Sequence, residues 1–103
     1  MRLADDRLIR QTMRQGVRKE SDHFAVYRLS SPTGSTRFCF RIAKRFGSAP
    51  ERNRVKRLMR EFIRTNKLLW PEAAAIVLTP KEGAVKLSFE QVASELKGIF
   101  ANG

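Results

Sequence analysis

Apolar residues recur along this chain at two different periods, and the points where the period changes outline a mixed α and β fold. Leu8, Ile9, Thr12 and Met13 make one strip at helical spacing, and Gly16 just beyond can take the left-handed conformation that ends a helix. Phe24 to Leu29 carries apolar residues on both faces and is predicted to be a strand. Arg37 to Ala43 alternates, with Phe38, Phe40 and Ile42 on one side and Arg37, Cys39 and Arg41 on the other, the period of a second strand. The residues between them, Ser30 to Ser35, have the composition of a turn.

The strongest pattern follows. Ser48-Ala49-Pro50-Glu51 reads as a capping box, with proline in the first turn where its missing N–H breaks no helical bond. A helix is predicted from roughly Glu51 to Lys67, because Val55, Leu58, Met59, Phe62 and Ile63 keep the i, i+3, i+4, i+7, i+8 rule. At about 100° per residue, Asn53, Arg57, Arg60 and Arg64 fall near the centre of the opposite face. Pro71 closes this region, and Ala74 to Leu78 reads as a short buried strand ending at Thr79-Pro80. A second capping box, Ser88-Phe89-Glu90-Gln91, opens a last helix whose buried stripe is Phe89, Val92, Ala93, Leu96 and Phe100. The order helix, strand, strand, helix, strand, helix predicts one α+β domain over residues 1–103, a sandwich of a small sheet with helices against it.

Charge sharpens this picture. The chain has 21 Lys and Arg against 10 Asp and Glu, a formal +11, which favours a polyanionic partner. Arg37 to Lys67 alone holds eleven basic residues against Glu51 and Glu61, a local charge of +9. Five cations lie within the nine residues from Arg52 to Arg60, and arginine forks grip phosphate oxygens bidentately, while Asn53 can bond a phosphate, a ribose hydroxyl or a metal-bound water. An ordinary solvated helix face mixes both signs. Charge alone does not separate RNA from DNA.

Other residues carry less chemistry. Cys39 is the only cysteine, so neither an internal disulfide nor a cysteine-based zinc site can form, which fits a reducing cytoplasm. The longest apolar run, Ala73 to Leu78, is too short to cross a bilayer, and no membrane role is expected. His23 is the only histidine and is expected at a strand edge, and Trp70 is expected to pack against the basic helix. The carboxylates are scattered, with only Asp5 and Asp6 adjacent, whereas a protein-borne nuclease needs clustered carboxylates or a histidine pair. Any catalysis is therefore expected to come from a partner.

The run from Arg37 to Glu61, RFCFRIAKRFGSAPERNRVKRLMRE, resembles the RNR region of the bacterial ribonuclease P protein family. The likeness includes the lysine and glycine before the helix, the RNR triplet at its distance from that glycine, and the basic pair and arginine after it. It extends through Phe24 to Tyr27, Ala75 to Leu78 and the last helix. The resemblance implies an α+β sandwich with a left-handed βαβ crossover, like the second domain of ribosomal protein S5. It also implies a partner ribonuclease P RNA that removes the 5′ leader of precursor tRNA with Mg2+, held mainly by that RNA, while the protein itself is inactive alone. Carried over by position, Lys44, Arg45, Arg52, Asn53, Arg54 and Arg57 would contact the RNA. Ile9, Met13, Tyr27, Lys56 and Arg60 would line the cleft that receives the leader.

Some positions depart from the family pattern. Ile9 and Met13 stand where it commonly has two phenylalanines, Cys39 where it has glycine, and Arg41 and Ala43 where it has small polar residues. Losing two rings predicts leader contacts that are weaker, or apolar rather than stacked. The main alternative is a ribosomal-type structural RNA-binding protein, which would share the size and charge. A DNA reader ranks last, since such a helix presents Asn or Gln among small residues and follows a helix-turn-helix. No DNA partner is expected.

Overall fold

The computed structural model describes residues 6–30, 35–71 and 73–101. Helix α1 is Asp6–Gln15, followed by strands β1 (Val17–Glu20), β2 (Phe24–Ser30) and β3 (Arg37–Phe40). Helix α2 is Ala49–Thr65, β4 is Ala74–Pro80 and α3 is Phe89–Ala101, with short 3-10 turns at Lys44–Phe46, Lys67–Leu69 and Ala84–Lys86. The strands form one mixed sheet in the order β1-β2-β4-β3, antiparallel except for the parallel pair β3 and β4. A parallel pair needs a crossover, and α2 supplies it.

Strand alternation divides the sheet into two covered faces. Phe24 and Val26 of β2, Phe38 of β3, and Ala74, Ile76 and Leu78 of β4 are buried in one core with Val55, Met59, Phe62 and Ile63 of α2 and Val92, Leu96 and Ile99 of α3. The opposite face presents Ala25, Cys39, Ala75 and Val77, also buried, and α1 packs there against β2 and β4 with Thr12 fully enclosed. Thr12 satisfies its own hydroxyl by donating to the Leu8 carbonyl at 2.8 Å. Trp70 packs as expected, edge-on to Phe38 with ring centroids 4.8 Å apart, and its Nε1–H donates to the Ile63 carbonyl at 2.9 Å.

Both capping boxes are present. Ser88 N donates to Gln91 Oε1 at 2.9 Å and Gln91 N to Ser88 Oγ at 3.2 Å, so α3 starts where the pattern places it. Its stripe is rotated, however: Ile99 is buried and Phe89 is an exposed residue of the first turn. The second expected strand is shorter than Arg37 to Ala43, ending at Phe40, although Arg41 N still donates to the Leu78 carbonyl at 2.9 Å and Ile42 still packs on the core. Most of the expected turn, residues 31–34, lies outside the described residues.

Strand β1 has no counterpart in the pattern. Val17-Arg18-Lys19-Glu20 offers one apolar residue and three charges, and Val17 is 59% exposed, so no buried face announces the strand. It is an edge strand, where charge discourages pairing with other chains. Gly16, which joins it to α1, is not left-handed; among the described glycines, positive φ occurs at Gly83. Glycine is needed at position 16 for space instead. A Cβ there would sit 2.5 Å from the Thr12 carbonyl oxygen and 2.7 Å from that of Arg28, so the helix end meets β2 backbone to backbone.

Candidate nucleic-acid interface

Helix α2 begins with its polar groups paired to one another. Ser48 N donates to Glu51 Oε1 at 2.8 Å and Glu51 N donates to Ser48 Oγ at 3.3 Å. The Ser48 backbone N–H, and then its hydroxyl, hold the Glu51 carboxyl below the usual range. One of the two acids in the basic segment is thus committed to the cap. The other, Glu61, meets Arg64 through two bonds of 2.6 and 3.2 Å, which lower its pKa and neutralise that arginine.

The RNR triplet divides into two jobs. Arg52 Nη1 donates to the carbonyls of Gly47 at 2.7 Å and Lys44 at 3.1 Å, clasping the turn before the helix. Arg54 donates to the carbonyls of Val85 at 2.8 Å and Leu87 at 3.2 Å, tying α2 to the approach of α3. Asn53 lies between them and points elsewhere. It lines an open depression of about 410 Å³ with Lys56, Arg57 and Arg60. None of these four side chains hydrogen-bonds or ion-pairs with another described residue. Three cations with no ion-paired acid therefore concentrate positive charge around this depression.

Ile9 and Met13 are half-buried on α1, beside Thr12, and Tyr27 is half-buried on the sheet face that α1 covers. Lys56 of α2 lies near enough to this face to act on Cys39. Burial pushes the Cys39 thiol up, and Asp6 adds to the shift, while Lys56 and Arg41 are near enough to oppose it. Lys44 and Arg45 are exposed in the 3-10 turn before α2. Arg45 joins Arg41, Phe46, Thr79 and Lys81 around a groove of about 560 Å³ at the end of β3 and β4. Sequence patterning did not bring Arg41 and Lys81 together, because the parallel pairing of β3 and β4 is a long-range fact.

A polar cluster at the same end of the sheet, next to Lys81, also had no sequence signature. Glu95 of α3 accepts from Ser21 Oγ at 2.5 Å and from His23 N at 2.9 Å, and its Oε2 lies 2.6 Å from His23 Nδ1. His23 and Ser21 both address the carboxylate rather than each other, so the serine is not activated. Burial alone would raise the Glu95 pKa, but the Ser21 and His23 hydrogen bonds outweigh it and the net shift is downward. The sign follows: a carboxyl with a depressed folded pKa contributes stability above its unfolded value, about 4.3, and loses it as pH falls through the folded value. Glu95→Gln should therefore cost about 1–2 kcal/mol at neutral pH. In urea unfolding across pH, its deficit against the parent protein should shrink toward zero below about pH 4. A deficit constant with pH would assign the loss to packing.

Among the described residues no group of three His, Cys, Asp or Glu side chains could hold a metal ion. No described helix is long and apolar enough to cross a membrane.

Residues 1–102 match the family model described as Ribonuclease P. The chain is 42% identical over 81 residues to the ribonuclease P protein component of a Geobacter species, covering 78% of this chain and 68% of that one. It is 32% identical over 96 residues to that of Finegoldia magna, covering 93% and 84%. Its fold resembles the RNase P protein of Thermotoga maritima, with a TM-score of 0.84 at 24% identity over 95% of this chain and 91% of that one. It resembles that of Staphylococcus aureus equally, with a TM-score of 0.86 at 20% identity over 96% and 91%.

Proposed function

Because this chain belongs to the ribonuclease P protein component family, we propose that it is the RNA-binding subunit that helps a catalytic RNA remove the 5′ leader of precursor tRNA. The observation that carries the reading is the depression of Asn53, Lys56, Arg57 and Arg60, three cations with no acidic partner on the exposed face of a firmly capped helix. Arg57 and Asn53 contact the ribonuclease P RNA, with Lys44 and Arg45 extending the contact along the preceding turn. Arg52 and Arg54 hold that surface in shape through backbone carbonyls. A guanidinium has five N–H donors, so each keeps donors for phosphate as well.

Lys56 and Arg60 border the route to the sheet face, where Ile9, Met13 and Tyr27 receive the single-stranded leader. Magnesium belongs to the RNA in this reading, since no three carboxylates come together among the described residues to compose an oxygen cage. Asn53 is the neutral member of the depression and suits a hydrogen bond to a metal-bound water. The protein contributes charge and placement.

The test is differential binding. With a ribonuclease P RNA present, adding this protein should tighten precursor tRNA more than mature tRNA, measured by fluorescence anisotropy at fixed salt. Equal gains for both would favour a ribosomal-type role, in which RNA is bound without attention to a leader.

A further inference from the structure

We propose that Arg18 is a positioning residue for the leader strand, acting through Tyr27. The inference rests on the leader-binding reading above and goes beyond it, because Arg18 lies on the edge strand that the sequence pattern does not disclose.

The β1–β2 register sets Arg18 opposite Tyr27. Arg18 Nε donates to Tyr27 Oη at 3.0 Å, and the guanidinium carbon lies 5.7 Å from the centre of the same ring. Glu20 pairs with the far side of that guanidinium and also with Lys81 Nζ at 2.8 Å. Lys81 is itself fixed, its Nζ donating to the Ser21 carbonyl at 2.8 Å and its backbone N–H to the His23 carbonyl at 2.8 Å. A chain of alternating charge, Lys81 to Glu20 to Arg18, therefore ends on one tyrosine.

Two chemical consequences follow. The ring cannot swing freely, since its hydroxyl and one part of its surface are both engaged by a planar cation. The phenol oxygen accepts from a cation, so its own proton is left to donate, and donates more strongly for being polarised. Tyr27 thus offers a fixed stacking surface and an aimed O–H donor, a pair suited to an unpaired base with its adjoining phosphate or ribose 2′-hydroxyl. Ile9 and Met13, the other cleft residues on α1, provide neither. The aromatic part of leader recognition then falls on Tyr27, and its geometry on Arg18.

The experiment compares precursor and mature tRNA affinity for the ribonuclease P holoenzyme reconstituted with the parent protein, Arg18→Ala, Arg18→Lys, Tyr27→Phe and the Arg18→Ala/Tyr27→Phe pair. Arg18→Ala should cost precursor binding about three- to tenfold, the scale of one hydrogen bond plus an exposed cation–π contact. Mature tRNA binding should not change. Lysine should not restore the loss, because it lacks the planar fork and the Nε donor. The double variant should be no more than about twofold worse than Tyr27→Phe alone, as expected of two residues acting as a unit. Circular dichroism and urea midpoints identify any variant that fails to fold, and Arg18→Lys, which keeps the charge of the edge strand, then carries the comparison. Full precursor preference in Arg18→Ala, full rescue by lysine, or multiplying losses in the double variant would each overturn the inference while leaving the subunit reading intact. A parent protein with no precursor preference would overturn both.

Discussion

At low magnesium, precursor tRNA should be cut by a ribonuclease P RNA roughly tenfold faster or more when this protein is added, a gain of about 1.4 kcal/mol in the barrier. Protein rigorously freed of RNA should cut nothing. Phosphodiester hydrolysis by a protein asks for metals held by grouped carboxylates or for paired histidines, and this sequence scatters ten acids and has one histidine. What it gathers is charge, +9 between Arg37 and Lys67. Folded RNA crowds phosphates together, and a cationic face docked beside the cleavage site, as proposed, would relieve part of their repulsion while holding the leader. Added magnesium does the first of these jobs and not the second. Across a magnesium series, the protein's advantage should therefore be largest at the lowest concentration and shrink without vanishing. Cleavage by protein alone would refute the subunit reading, and no stimulation of a cognate RNA at any magnesium level would favour the ribosomal-type alternative.

How much of this was legible beforehand depends on how local each cause is. The capped start of α2, its buried face of Val55, Met59, Phe62 and Ile63, and its exposed Asn53, Arg57 and Arg60 all follow from spacing within one helix. The pattern missed β1 because an edge strand of charged residues has no hydrophobic period. It assigned Gly16 a backbone conformation when the constraint is the approach of Arg28 from another strand. Phe89 was placed on the α3 stripe by its helical spacing, yet the first turn of a helix can lie outside the core, and Ile99 occupies the buried position.

The candidate site divides along the same line. Residue type and spacing put Arg52, Asn53 and Arg54 in one motif. They could not reveal that the two arginines reach the carbonyls of Gly47 and Val85, because those partners are fixed by a turn and by a long-range contact between α2 and the segment before α3. Arg18 and Tyr27 meet only through strand register, and the Ser21, His23 and Glu95 cluster spans more than seventy residues of sequence. Side-chain chemistry could be anticipated locally, but its pairing required the fold.

That division of labour within the basic helix yields a second large effect. Replacing Arg57 and Arg60 together by alanine should weaken binding to ribonuclease P RNA about 10- to 100-fold at low salt, the scale of two solvent-exposed contacts at about 1 kcal/mol each. Both side chains are exposed and line the unpaired depression, so the helix has no packing to lose and its circular dichroism should be unchanged. If each arginine neutralises one phosphate, the plot of log affinity against log salt should flatten by about 0.7–0.9 per contact removed. Arg54→Ala is the informative contrast. Its guanidinium bonds to the Val85 and Leu87 carbonyls, so its removal should lower unfolding stability by about 1 kcal/mol and change the salt slope less than either depression residue. The measurements are urea unfolding for each variant beside RNA titrations at several salt concentrations. An Arg57→Ala/Arg60→Ala slope equal to the parent's would mean that this face is merely hydrated and that the RNA binds elsewhere. A loss of stability in that double variant matching that of Arg54→Ala would erase the distinction between the residues that shape the surface and those that meet the phosphates.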